Sequence, residues 1–257
     1  MIEISGLNYS LHGKPVLRNI SLTGNEGEIL GIIGPSGSGK SALLKIAGGV
    51  EKSYDGTILA RERDIKKMSA REKNEALCLF TGEKPQNRDD SVENFILLSR
   101  VPLKRSLSPI TDKDRSIAEK YISSLELEHC RYDRIGELCQ SVQTLALLAH
   151  AFTREAGITL LDEPTQFLDL KSLALLHRTL AKKSSEGGGT IFICSNDINF
   201  ILQCADRIII LYQGAVAEEG NVSIVTDDLI QKYFGIRVIL SKNIYNGKPV
   251  VHYFPEN

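Results

Sequence analysis

Residues 34–41 read GPSGSGKS and fit the spacing G-x-x-x-x-G-K-[ST], between the apolar run ILGII and the helical run ALLKIAG. In that context the motif binds the phosphates of a nucleotide. Gly34, Gly37 and Gly39, with Pro35, Ser36 and Ser38 between them, let successive backbone N–H groups curl around phosphate oxygens, and the helix start adds partial positive charge. Lys40 is expected to reach the β- and γ-phosphates and Ser41 to offer its hydroxyl to Mg²⁺. A second stretch, ITLLDEPT at 158–165, delivers Asp162 and Glu163 at the end of an apolar strand. Ligands of parallel sheets gather at that end, so Asp162 is placed to hold the metal directly or through water and Glu163 to polarise an attacking water. Alone, a DE pair also suits a helix cap; beside a complete phosphate loop the chemical reading prevails. A third stretch, IFICSNDINF at 191–200, stops an apolar strand at Cys194, Ser195, Asn196 and Asp197 before helical spacing resumes.

The elements that must position these residues are written in the alternation of the chain. Apolar runs precede helical ones: EILGIIG then SALLKIAG, ITLLDEP then LKSLALLHRTLA, TIFICSN then INFILQCA, followed by RIIILY. Strands that cross over through helices make a largely parallel sheet covered on both faces, an α/β fold. The first 30 or so residues and the stretch 56–60 read as antiparallel β bounded by Gly13, Gly24, Gly27 and Gly56. Between about 85 and 155, SVENFILLSR, DRSIAEKYISSLEL and VQTLALLAHAF are helical in spacing, so a helical insertion interrupts the core. EGGGT at 186–190 reads as a helix-to-strand turn. The expected organisation is one domain over 1–257: a core of 1–84 and 156–235, the insertion 85–155 and a C-terminal extension 236–257.

Composition narrows the function classes. Acidic and basic residues number 32 and 31, so no whole-chain field favours nucleic acid or an anionic membrane. No apolar run approaches the ~18–20 residues of a membrane-spanning helix, and MIEISGLNYS lacks the layout of a secretory signal. A cytoplasmic location is expected. The five cysteines, Cys78, Cys130, Cys139, Cys194 and Cys204, show no C-x-x-C spacing and are odd in number, which favours reduced thiols, most of them small buried hydrophobes.

The phosphate loop, the helical insertion, LLDEPTQFLDL and the polar turn after the next strand together resemble the ATP-binding subunit of an ABC transporter. MSAREKNEALCLF, VENFILLSRVP, ADRIIILYQGAVAEEG, TDDLIQKYFGIRV and NGKPVVHYFPEN are similar to the subunits that energise uptake of iron-siderophores, haem and cobalamin. The resemblance covers nearly the whole chain. It implies a P-loop NTPase core of ABC type with a mostly parallel sheet, an antiparallel β subdomain and the helical insertion. It also implies ATP and Mg²⁺ as ligands and a dimer with a second ATP-binding subunit, identical or not. Each ATP would lie between one subunit's phosphate loop and the other's signature segment. A membrane permease would dock near residues 82–100 and provide the only membrane contact, on the inner face of the cell membrane. Asp169 takes the place of the family's D-loop aspartate.

Several positions depart from the family pattern. Where the family has LSGGQ, this chain has Leu138, Cys139, Gln140, Ser141 and Val142. The lost glycines let backbone N–H groups approach the γ-phosphate across the dimer; Cys139 is a weak donor, while the Gln140 amide and Ser141 hydroxyl still offer hydrogen bonds. The family's metal-contacting glutamine falls at Gly82, with Gln86 four residues late, and Ala42 replaces a hydroxyl residue that touches the α-phosphate. The adenine-stacking aromatic falls at Leu11, with Tyr9 two residues earlier as a substitute on the same strand face. Asn196 stands where the family ends the strand in a γ-phosphate-contacting histidine, keeping a neutral donor and losing proton chemistry; helix capping by this turn is compatible with that role. Three functions compete: a transport ATPase slowed by these departures, a nucleotide-binding subunit with little hydrolysis, and a repair or translation ABC protein. The last normally needs a coiled-coil insertion or tandem modules, and neither is visible.

Overall fold

The structure, a computed structural model, describes residues 1–83, 88–101, 109–187 and 189–254. The chain opens with β1 (Ile2–Leu11), β2 (Lys14–Gly24), β3 (Ile29–Ile33), α1 (Lys40–Ala47), β4 (Asp55–Ala60), β5 (Arg63–Asp64), α2 (Ala70–Ala76) and β6 (Leu77–Phe80). Three helices follow, α3 (Val92–Leu98), α4 (Asp112–Ser124) and α5 (Gln140–Thr153), and among the described residues from 88 to 157 there is no strand. The second half runs β7 (Ile158–Asp162), α6 (Leu170–Ser185), β8 (Thr190–Cys194), α7 (Ile198–Cys204), β9 (Arg207–Tyr212), β10 (Ala215–Asn221), α8 (Asp227–Phe234), and the hairpin β11 (Val238–Lys242) and β12 (Pro249–Tyr253).

Two sheets are stacked. One is antiparallel in the order β2-β1-β4-β5; the other runs β10-β9-β3-β8-β7-β6, all parallel except the edge strand β10. This is the α/β fold expected from the alternation, with the antiparallel part where the first 30 residues placed it. Gly56 does not bound a strand, however. It lies inside β4 at φ +96, pressed so close to β1 that a Cβ would sit 2.6 Å from the Gly6 carbonyl oxygen. The EGGGT turn does join α6 to β8 through Glu186, Gly187 and Gly189, with Gly188 outside the described residues.

All five residues of β3, β7 and β8 are buried, as parallel strands covered on both faces require. Alternation sorts them. Leu30 and Ile32 join the apolar cluster between the sheets with Ile4, Leu7 and Phe192, whereas Ile29 and Ile33 join the helix-side cluster with Phe152 and Ile201. Gly31 belongs to the second face, where a Cβ would strike Ile201 Cγ2 at 2.4 Å, so its small size lets α7 lie against the central strand. β3 pairs with β8, and β8 with β7, in registers that set Ile32 beside Cys194 and Cys194 beside Asp162. The three polar stretches therefore finish side by side on one sheet edge.

Candidate functional site

Beyond β3 the chain turns through residues 34–39 and enters α1 at Lys40. The N-cap of α1 is Gly39, at φ +105, with no side-chain cap. A Cβ there would lie 2.7 Å from Leu17 Cδ2, so both backbone conformation and space demand glycine. Without a side-chain cap, the first-turn N–H groups and the helix dipole are available to an anion. Gly37, at φ +79, is the open side of the loop, where an added Cβ would meet nothing within 4 Å. Lys40 is only 7% exposed, and its Nζ donates to the Gly34 carbonyl at 2.7 Å and the Pro35 carbonyl at 3.2 Å. Ser38 Oγ is buried without a hydrogen-bond partner, and its carbonyl accepts the Gly214 N–H at 3.1 Å, which ties the loop to the β9–β10 turn. An uncapped helix start, an orphaned hydroxyl and a lysine curled into the same loop fit a phosphate chain.

Ser41 Oγ donates to Asp162 Oδ1 at 2.9 Å. Burial raises the Asp162 carboxyl above the ordinary carboxylate value, against the Ser41 hydroxyl and the charges of Lys45 and Lys40. A cation beside it would remove that penalty. A carboxylate and a hydroxyl are hard oxygen donors that suit Mg²⁺ completed by phosphate and water. Among the described residues no group of three or more His, Cys, Asp or Glu could hold a metal.

Glu163 follows β7 at φ +50, a backbone conformation uncommon for a residue with a side chain and often found where geometry serves function. Its N–H donates to the Cys194 carbonyl at 2.9 Å, and its Oε2 accepts the Asn196 N–H at 3.0 Å. The turn after β8 is capped by Asp197, whose carboxylate accepts the Phe200 N–H at 2.9 Å. Asn196 thus does not cap α7. It is exposed and, with Glu163, faces Ser36–Ala42 across a cavity of about 360 Å³. Ala42 lines the same cavity, as does Val16, which sequence reasoning missed. The β1–β2 register steps from Tyr9↔Leu17 to Ser10↔Pro15, leaving Val16 unpaired in a bulge at the rim of the loop.

The two adenine-stacking candidates on β1 differ in exposure, which corrects that choice. Tyr9 is 9% exposed, packed in the cluster between the sheets, and its hydroxyl donates to Glu51 at 3.3 Å; its face is taken up by the core. Leu11, at the strand's end, is half exposed, so the two do not share one accessible face. Gly82 needs correction too. β6 pairs with β7 through Phe80↔Leu161, so Gly82 lies two residues past the same sheet edge, but it has no side chain to offer a metal and does not line the cavity. Gln86 lies outside the described residues.

The remaining residues lie elsewhere. Cys139 is the exposed N-cap residue of α5, makes no side-chain cap, and is followed by the exposed Gln140. The Ser141 hydroxyl is bonded within the chain, 2.9 Å from Ser172 Oγ. Asp169 caps α6 by accepting the Ser172 N–H at 2.8 Å, a bond that holds its carboxyl below the ordinary range. None of these four lines the phosphate-loop cavity. The other four cysteines are buried.

A family model described as ABC transporter matches residues 17–166. The hemin import ATP-binding protein HmuV of Photobacterium profundum is 32% identical over 267 residues, covering 97% of this chain and 90% of its own length. The petrobactin import ATP-binding protein FpuC of Bacillus anthracis is 26% identical over 257 residues, covering 100% and 93%. Among solved structures, an inward-facing metal-chelate type ABC transporter matches with a TM-score of 0.81 at 20% identity, covering 100% of this chain and 97% of that one, a likeness of fold.

Proposed function

The chain belongs to the ABC transporter family, and from that premise we propose that it binds ATP with Mg²⁺ and couples hydrolysis to uptake of an iron-siderophore, haem or cobalamin-like chelate through a separate permease. One observation carries the reading: Lys40, Ser41, Glu163 and Asn196 line a single cavity, with Asp162 hydrogen-bonded to Ser41 beneath it. The import proteins for hemin and petrobactin support the class of cargo. No described helix is long and apolar enough to cross a membrane; in this reading the chain meets the inner face of the membrane through the permease. The same reading divides the chain into a nucleotide-binding core, 1–84 and 156–235, a helical insertion, 85–155, and an extension, 236–257, supported by the placement of the parallel strands, of α3–α5 and of the β11–β12 hairpin.

In this assignment Lys40 and the start of α1 hold the β- and γ-phosphates, and Ser41 and Asp162 hold Mg²⁺. When bound, the metal supplies charge neutralisation on the phosphate oxygens. Glu163 orients a water and takes its proton as the water oxygen bonds to the γ-phosphorus and the bond to the β,γ-bridging oxygen breaks. The Asn196 amide donates to the γ-phosphate and holds no titrating proton. Cys139, Gln140 and Asp169, outside this cavity, fit a role at the cavity of a second ATP-binding subunit.

A second reading, a nucleotide-binding subunit with little hydrolysis, is favoured by the start of α5, where Cys139 makes no cap and the Ser141 hydroxyl is engaged by Ser172. Steady-state phosphate release by the purified chain, alone and with its permease, separates the two. Turnover that the permease stimulates and Lys40→Ala abolishes supports the transport ATPase. ATP binding without turnover in either state supports the second reading.

A further inference from the structure

Two hydroxyls beside the cavity have no part in the chemistry above. Ser195, 1% exposed at the end of β8, and Thr165, in the turn after β7, lie with their hydroxyl oxygens 2.7 Å apart. Ser195 Oγ also accepts the Asp197 N–H at 3.0 Å and stands 3.5 Å from Glu163 Oε2. Each hydroxyl carries one proton and two lone pairs, and these favour one order of the chain. If Ser195 donated to Thr165, the proton of the partly exposed Thr165 would be left to solvent and Oε2 would keep a single donor. The opposite order satisfies every group. Thr165 donates to Ser195, Ser195 donates to Glu163 Oε2, and the Asp197 N–H occupies the second lone pair of Ser195.

We propose that Ser195, braced by Thr165, is a positioning residue that acts through Glu163, engaging Oε2 together with the Asn196 N–H so that Oε1 is the oxygen presented to water. The proposal rests on the reading of Glu163 as the base. Oε2 accepts the Asn196 N–H at 3.0 Å and has the Ser195 hydroxyl 3.5 Å away, a long contact that closes readily, while Oε1 has no donor among the described residues; this biases the carboxylate against flipping, and its less engaged oxygen keeps its lone pairs for an incoming proton. The backbone at φ +50 sets where the side chain starts, and the Thr165–Ser195–Glu163 line sets where it ends. At this strand end the residue after Ser195 is Asn196, with no imidazole, so Ser195 is the side-chain donor on Oε2 among the described residues.

The test is steady-state ATP hydrolysis by the chain with its permease, for the unmodified protein and for Ser195→Ala, Thr165→Val, Ser195→Thr, Thr165→Ser and Glu163→Gln. Ser195→Ala is expected to lower kcat by about ten- to a hundredfold, the range for a group that orients a reacting side chain, and Thr165→Val by less. KM and ATP affinity should stay within about twofold, because neither residue lines the phosphate-loop cavity, and the two hydroxyl-keeping variants should restore most of kcat. Thr165→Val is nearly isosteric, so it carries the test if Ser195→Ala proves unstable. An unchanged kcat in Ser195→Ala and Thr165→Val, a parallel loss of ATP affinity, or failure of both conservative variants overturns the proposal. No hydrolysis by the unmodified protein, or full hydrolysis by Glu163→Gln, overturns the reading of the base itself. Hydrolysis lost in Glu163→Gln but normal in Ser195→Ala overturns the positioning role alone.

Discussion

Along the sheet edge Lys40, Ser41, Asp162 and Glu163 each find a partner within the chain, whereas at the start of α5 the exposed Cys139 caps nothing and the neighbouring Ser141 hydroxyl turns to Ser172. The first region is fixed by strand registers and buried neighbours, so the fold itself holds those residues in place. The second lies on the surface, where the fold tolerates Cys, Gln and Ser in place of the family's Ser-Gly-Gly. The departures at 139–141 lie where a second chain would have to complete the site, and folding of this chain does not hold them in check; two others, Ala42 and Asn196, line the cavity itself.

The sharpest way to break this comparison is Glu163→Gln. If the sheet edge is the chemical half, ATP turnover should fall by about 10²–10⁴, the usual contribution of a positioned base; normal phosphate release would remove Glu163 from the chemistry. Next in size, Lys40→Ala should weaken ATP affinity about a hundredfold, since a charged hydrogen bond to phosphate is lost, and titration of a fluorescent nucleotide measures it. Unchanged affinity would mean the loop is not the nucleotide site.

The far end of α5 sharpens the contrast from within one helix. His150 stacks on Phe95 with centroids 4.8 Å apart, and burial, aided by the Arg154 charge, pushes its pKa from 6.5 down to about 4. Its folded value is depressed, so the unfolded chain takes the proton first as pH falls. Stability should hold above pH 6.5 and drain away between about 6.5 and 4, by roughly 2 kcal/mol from pH 7 to 5. Urea midpoints at the two pH values, for the unmodified chain and His150→Leu, provide the measurement; an equal fall in both proteins would show that His150 is not held neutral by burial. The smallest effect is a gain. Asn196→His with Cys139→Ser, Gln140→Gly, Ser141→Gly and Val142→Gln should raise phosphate release at least about tenfold with little change in ATP affinity, because preorganised donors are returned to the γ-phosphate. No gain would show that the start of α5 does not limit turnover.

The phosphate loop, Asp162, Glu163 and Asn196 were legible because each ends a buried apolar strand, a pattern written in contiguous residues. The layering of the sheet followed from the same alternation. What the chain did not disclose depends on long-range register. Tyr9 and Leu11 look equivalent at a spacing of two, but Tyr9 packs in the cluster between the sheets while Leu11 reaches the exposed strand end, and nothing in LNYSL marks the difference. Asp197 rather than Asn196 as the cap of α7 is likewise a choice between adjacent good capping residues that only the backbone angles make. Gly82 does fall just past the end of β6, but a position reached by alignment carries no side chain to do the work expected there.

The strand that carries the phosphate loop has a further consequence, for the order in which the molecule comes into being. β3 is made early, yet both strands that flank it, β8 and β9, belong to the last third of the chain. As a polypeptide emerges from the ribosome, β3 waits, an apolar ribbon with both hydrogen-bonding edges bare, until most of the remaining chain has been synthesised. Closing such a long loop is slow and leaves an adhesive surface open in the meantime. The nucleotide cradle is therefore complete only once β8 and the turn that carries Asn196 have been made, late in synthesis.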